Sequence, residues 1–170
     1  MPVIQITDYQ VGALGRLIEL HGLYYSKHWN FDSFFETFVA VDLAQFIKRF
    51  DPETDLLKIA LVDGIVAGGI VIDGSEHQSG GARLRFFILD EAYQGQGIGK
   101  QLMQAAMDFC REKGFRRCYL TTFAGLDAAR HLYEKWGFRL QEEQEDTTWG
   151  KPALKQVFVY DESFSATIAE

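Results

Sequence analysis

Cysteine is scarce in this 170-residue chain, which holds only Cys110 and Cys118. Two cysteines make no disulfide framework of the secreted kind, and no metal-ligand spacing surrounds them, so buried, reduced thiols are the expectation. His28, His77 and His131 stand at no metal-ligand spacing either, and no metal is expected. Blocks of like charge are also missing, and the basic residues gather into no stripe. With a formal net charge of −7, the chain lacks the cationic footprint that a nucleic-acid partner requires. Long apolar runs are absent too. The opening Met1-Pro2-Val3-Ile4-Gln5 has neither the basic start nor the apolar stretch of a signal peptide, and nothing approaches membrane-spanning length. These absences set the expectation of a cytoplasmic protein with no nucleic-acid or membrane partner.

What is present suits a single packed domain. Apolar residues make up 47% of the chain, and 14 Phe, 7 Tyr and 3 Trp supply large surfaces for a core. A short strand is expected over Val3 to Thr7. Leu14, Leu17, Ile18 and His21 then recur at helical spacing up to Gly22, a helix stop. A second helix is expected from Ser33, burying Phe35, Val39, Leu43, Phe46, Ile47 and Phe50 ahead of Pro52. The period then changes. Leu57 to Val62 and Ile65 to Ile72 flank Asp63-Gly64, the signal of a two-residue hairpin. A glycine-rich loop covers Gly74 to Gly81, and Leu84 to Leu89 reads as a strand with Leu84, Phe86 and Ile88 on one side. A helix runs from Ile98 to Gly114, a strand from Arg117 to Phe123, and a short helix carries Leu126, Ala129, Leu132, Tyr133 and Trp136 up to Gly137. Two last strands lie around Phe138 to Glu142 and Leu154 to Tyr160. The sum is one α/β domain over residues 1–162 around a mixed sheet, with a frayed tail from Ser163 to Glu170.

The segment richest in chemical information is Gln94-Gly95-Gln96-Gly97-Ile98-Gly99-Lys100, between a strand and a helix. Glycines let the backbone come close to a ligand, and the free N–H groups of the helix start attract an anion. Dinucleotide-binding and Walker-type phosphate loops both fail on spacing: the third glycine comes one residue too soon for the first, and Lys100 is followed by Gln101. A plain connecting turn would need fewer than three alternate glycines.

Gln94-x-x-Gly97-x-Gly99 after Phe87-Ile88-Leu89 resembles the coenzyme-A loop of the GNAT superfamily of N-acetyltransferases. Ala129-x-x-Leu132-Tyr133-Glu134-Lys135-x-Gly137-Phe138 is similar to a second block of that family, in the expected order. The stretch from Thr121 to Tyr133 also resembles acetyltransferase domains found joined to MarR-type regulators. These residues hold no winged-helix segment, and no DNA binding is implied.

The resemblance implies a GNAT-like fold: a mostly antiparallel mixed sheet, splayed at the cofactor slot, with helices on both faces. It implies acetyl-CoA as cosubstrate, with the pantetheine arm paired to Phe87, Ile88 and Leu89 and the pyrophosphate held by Gln94 to Lys100. The strands are expected to part after Leu89 and after Thr122. Arg130 and Leu126 join the cofactor site, although Leu126 stands where the family often has an asparagine and offers no side-chain hydrogen bond. Tyr133 is the implied general acid, its alternative being a core aromatic. The N-terminal third would shape the acceptor site. Glu36, His21, Tyr24 and Tyr25 are the candidates there, with Glu36 the candidate base, and Trp149 is a candidate wall. Each has a plainer reading as well: Ser33-x-x-Glu36 is a capping box, His21 a core histidine, and the aromatics packing residues. The expected partner is a small-molecule or peptide amine, with a homodimer as the candidate assembly. A non-catalytic acyl-CoA sensor or interaction module on the same fold is the alternative.

Overall fold

The computed structural model of the protein describes residues 1–166. Seven strands form one sheet in the order β1-β2-β3-β4-β5-β7-β6. They are β1 (Ile4–Thr7), β2 (Leu56–Val62), β3 (Ile65–Asp73), β4 (Ala82–Leu89), β5 (Arg117–Phe123), β6 (Arg139–Asp146) and β7 (Ala153–Asp161). Every neighbouring pair is antiparallel except β4 and β5. Helices α1 (Ala13–Trp29) and α2 (Ser33–Lys48) pack on one face, and α3 (Ile98–Glu112) and α4 (Asp127–Lys135) on the other. One helical turn, α5 (Ser163–Ala166), opens the segment expected to fray, and residues 167–170 lie outside the described residues.

Local chemistry explains most of this. Asp63 and Gly64 both have positive φ, 50° and 81°, as a two-residue hairpin turn demands. β6 is almost wholly exposed and reads Arg139-Leu140-Gln141-Glu142-Glu143-Gln144-Glu145-Asp146, a charged edge that discourages further strand pairing.

Three expectations about the helices are corrected. Gly22 does not stop α1, which continues to Trp29. Its missing side chain instead permits close packing, because a Cβ there would lie 2.3 Å from the carboxylate of Glu36 on α2. The capping box is not formed either. Asp32 caps α2 by accepting from the Phe34 N–H at 3.0 Å, and Ser33 is already helical. Phe50, placed on the buried face of that helix by its spacing, lies past the helix end and is exposed.

β4 departs most from its pattern. Between the register pairs Gly69↔Ile88 and Val71↔Arg85, β3 advances two residues and β4 three. The extra residue is a bulge, and Phe86 sits in the left-handed region at φ 51°. One extra residue reverses the alternation of faces. Leu84 therefore joins the α3 side with Phe87 and Leu89, whereas Phe86 and Ile88 pack toward α1 and α2. Leu84, Phe86 and Ile88 do not share one side.

The parallel pairing ends just before the bulge. β4 and β5 are in register only at Ala82↔Cys118 and Arg83↔Tyr119, so the strands part well before Leu89 and Thr122. From Leu84 onward the β5-facing edge of β4 has no partner strand.

Candidate active site

A cleft of about 790 Å³ occupies this gap and passes between the two faces of the sheet. Its first wall is the glycine loop. A 3-10 turn over Glu91–Tyr93, capped by Asp90, carries the chain off β4, and the Gln94 amide reaches back 3.3 Å to the carbonyl of Leu89. Gly97, at φ 79°, is the N-cap of α3 and supplies no side-chain cap. The amides of Ile98, Gly99 and Lys100 precede the first intrahelical acceptor bond, so they are free to meet an anion. A Cβ on Gly95 or Gly97 would meet nothing within 4 Å, leaving open room beside these amides. The donor set and the space fit a pyrophosphate, and the unpaired amide edge of β4 fits an extended ligand rich in amides. Lys100, His131 and Lys135 add basic side chains to the cleft lining.

Midway lies Tyr133, only 6% exposed, on the inward face of α4. The short turn that follows is fixed by the Phe138 N–H donating to the Tyr133 carbonyl at 3.0 Å. Its ring is flanked by Phe87 and Phe138, both at 6.1 Å between centroids. Burial raises the phenol far above its usual range, with a further push from Tyr25 and Tyr24. The hydroxyl therefore keeps its proton at any working pH, and it has no hydrogen-bond partner among the described residues.

The other end is aromatic. Phe31, Phe35, Phe123 and Trp149 cluster with Tyr25 and Trp29, bridging α1 and α2 to β5 and to the loop between β6 and β7. His21 adjoins them, its ring edge-on to Phe86 at 6.0 Å. Its Nδ1–H donates to the Leu17 carbonyl at 2.7 Å, and burial lowers its pKa to about 4 against the opposing pull of that bond. The imidazole is neutral, and its Nε2 has no partner among the described residues. Tyr25 is likewise raised by burial and then by Tyr24.

The fold thus brings together most residues singled out from sequence. Phe87, Ile88, Leu89, Gln94, Gly95, Gly97, Ile98, Gly99, Lys100, Leu126 and Tyr133 line the cleft, and so do His21, Tyr24, Tyr25 and Trp149. Three do not. Gln96 lies outside the lining, and Arg130 turns away to donate to Glu134 at 2.7 Å with its guanidinium over the Phe158 ring. Glu36 is exposed, its carboxylate against Gly22 rather than in the cleft, so the geometry gives it no contact with a reacting amine. Sequence reasoning missed Asp42, Arg83, Arg85 and Phe123, all of which line the cleft. The alternation Arg83-Leu84-Arg85 was the available signal, because a buried Leu84 turns both arginines to the opposite face.

Cys110 and Cys118 are free and buried. A hydrogen bond to Cys110, and then burial, hold the Cys118 thiol well above its usual pKa, which keeps it protonated and unreactive. Among the described residues, no group of three or more potential ligands gathers to hold a metal, and no helix is long and apolar enough to cross a membrane.

A mixed sheet parted between two parallel strands, with a glycine-walled helix start at the opening, is the fold of the acetyltransferases. The structure of an acetyltransferase from Streptococcus agalactiae 2603 superposes with a TM-score of 0.75 at 21% identity, covering 93% of this chain and 98% of that one. That of yncA, a putative acetyltransferase from Salmonella typhimurium solved with its cofactor acetyl-CoA, gives 0.71 at 15% identity, with 94% of each chain covered. Residues 14–138 match the acetyltransferase (GNAT) family, and the chain belongs to it. Among curated relatives it is 41% identical over 76 residues to the uncharacterized N-acetyltransferase YjgM of Escherichia coli K12, covering 44% of each chain. It is 33% identical over 69 residues to the spermine/spermidine N(1)-acetyltransferase of Bacillus subtilis, covering 40% of this chain and 45% of that one. The matched stretch spans less than half the length of either relative.

Proposed function

We propose that this chain is an acetyl-CoA-dependent N-acetyltransferase that moves the acetyl group directly to a primary amine, with Tyr133 as general acid. The observation that carries the reading is one cleft running from an anion-ready helix start, past an unpaired strand edge and a buried tyrosine, into an aromatic chamber. The pyrophosphate is assigned to the amides at the start of α3, and the pantetheine amides to the β4 edge from Phe87 to Leu89. The thioester then lies between Phe87 and Tyr133.

The amine nitrogen attacks the thioester carbonyl carbon and the carbon–sulfur bond breaks. The departing sulfur takes the Tyr133 proton, the surplus proton of the amine leaves through solvent, and solvent reprotonates the tyrosine. Burial makes the phenol a weaker acid, but the same apolar surroundings raise the proton affinity of the thiolate it serves. His21, neutral and weakly basic, suits a hydrogen bond from the incoming amine better than removal of its proton. Cys118, buried and kept protonated, has no role as a covalent acetyl carrier.

The test is thiol release from acetyl-CoA by the purified protein against a panel of amines. Amine-dependent release is expected, and Tyr133→Phe should lower kcat roughly 10²-fold while acetyl-CoA still raises Tm. Binding of acetyl-CoA with no release on any amine would make the protein a sensor. Undiminished turnover in Tyr133→Phe would return Tyr133 to a packing role.

A further inference from the structure

Among the described residues, three buried side-chain polar atoms lack a hydrogen-bond partner: Nε of Arg83, Nε of Arg85 and Nε1 of Trp149. All three are N–H donors, and all three residues line the same cleft. Buried donors are ordinarily satisfied, because an unmet one keeps its full desolvation penalty. Three unmet donors on residues of one cleft, with no buried side-chain acceptor left unmet among the described residues, call for a ligand that brings acceptors.

Charge points the same way. Arg85 is already engaged: one terminal nitrogen meets Asp73 at 3.0 Å and the other pairs with Asp42. Arg49 takes a further share of Asp73 at 2.5 Å. Arg83 stands beside this network but in no ion pair among the described residues, and its environment is dominated by burial and by the like charge of Arg85. Like Lys100 and Lys135 it lines the cleft with no ion pair among the described residues, but it alone of the three stands at the point where the β4–β5 pairing ends. A guanidinium offers parallel donors that fit a planar carboxylate. The same cleft carries an apolar wall, with Phe38 packed edge-to-face on Trp149 at 4.6 Å and Phe35 at 5.1 Å.

We infer that the acceptor amine carries a carboxylate on an apolar body, with the carboxylate bound by Arg83 and supported by the N–H groups of Arg85 and Trp149. This rests on the transferase reading for the amine, but not for the carboxylate.

Matched amines test it. L-Phenylalanine is compared with L-phenylalaninamide and 2-phenylethylamine, L-leucine with L-leucinamide, and 4-(aminomethyl)benzoate with benzylamine, in thiol-release assays and in melting curves of the CoA-saturated protein. The expected result is a kcat/KM roughly 10- to 100-fold higher for a carboxylate-bearing amine than for its partner without one, the span of a charge-assisted hydrogen bond. The amides make this a stringent comparison, because their amines are less basic and more often neutral. Arg83→Met should erase the preference and Arg83→Lys should restore part of it, and a retained Tm shift with acetyl-CoA shows that each variant is folded. Equal turnover with and without the carboxylate, or a preference that survives in Arg83→Met, overturns the inference and leaves the transferase reading standing. An Arg83-dependent Tm shift by the acids without thiol release does the reverse. Acids that neither turn over nor shift Tm overturn the inference.

Discussion

His21 shows how one side chain couples the site to stability. The free imidazole titrates near pH 6.5 and the buried ring near 4. Between those values the unfolded chain holds the extra proton, so stability rises with pH across the window and is lost as pH falls through it. For a fully buried ring, at about 1.4 kcal/mol per unit, the loss comes to about 3 kcal/mol. Asp73 titrates lower. Burial alone would raise its carboxyl, but hydrogen bonds from Arg49, Ser75 and Arg85 hold it at about 2, so its contribution is lost only as pH falls below 3.8. The interval from pH 6.5 to 4 therefore belongs chiefly to His21. In urea titrations across that interval, wild type should lose about 3 kcal/mol more than His21→Gln. Parallel losses in the two proteins would show that the ring is not desolvated. The helical spacing of Leu14, Leu17, Ile18 and His21 already put this residue on the buried face of α1. That it opens onto a cleft depended on β4, which sets Phe86 edge-on to its ring and parts from β5 beyond.

At the scale of elements, the β3–β4 contact decides the site. A Cβ on Gly68 would lie 2.2 Å from the carbonyl oxygen of Ile88 and 3.0 Å from the Leu89 Cα, both backbone atoms of the strand whose far edge lines the cleft. Gly68→Ala should cost about 1–3 kcal/mol, as overpacking does, and should also weaken acetyl-CoA binding because β4 must shift. Gly22→Ala makes the contrast. Its Cβ would also overlap a neighbour, but that neighbour is the flexible end of Glu36. The carboxylate can swing away, and replacing a mid-helix glycine should leave stability unchanged or raise it by up to about 1 kcal/mol. Both costs are readable from urea midpoints. Equal destabilisation by the two substitutions would contradict the backbone-contact argument. Gly22 looked like a helix stop because glycine usually ends helices. Its actual use depends on α2, which local sequence does not encode.

Over the whole molecule, β1 to β4 and β5 to β7 meet through two registered pairs of parallel strand, and the cleft separates the rest. A ligand spanning both sides should therefore bind the folded state strongly and the unfolded chain not at all. Acetyl-CoA at about 100 times its Kd should stabilise by about 2.7 kcal/mol, or roughly 5–11 °C in Tm for a chain of this size. Gly97→Glu should abolish the shift, since a carboxylate would occupy the anion site. Gly97→Ala is the control: it carries the same left-handed backbone strain at φ 79° but adds no charge, so it should keep most of the shift. A full shift in Gly97→Glu would remove the loop from the binding site.

Periodicity, turn residues and the glycine loop determined by themselves the order of the elements, the hairpin at Asp63-Gly64, the glycine-capped start of α3 and the placement of Tyr133 on the inward face of α4. These are local properties, set by backbone preferences and by which side chains share a face within a few residues. The tertiary structure alone decided where the strands part, which face Phe86 and Ile88 serve, that Asp32 rather than the Ser33 box caps α2, and that Glu36 and Arg130 stand away from the cleft while Arg83 and Arg85 line it. Each of these turns on a partner distant in sequence. A one-residue bulge reverses a strand's faces only once the neighbouring register is set, and a buried donor is recognised as unmet only when every element that could satisfy it is in place.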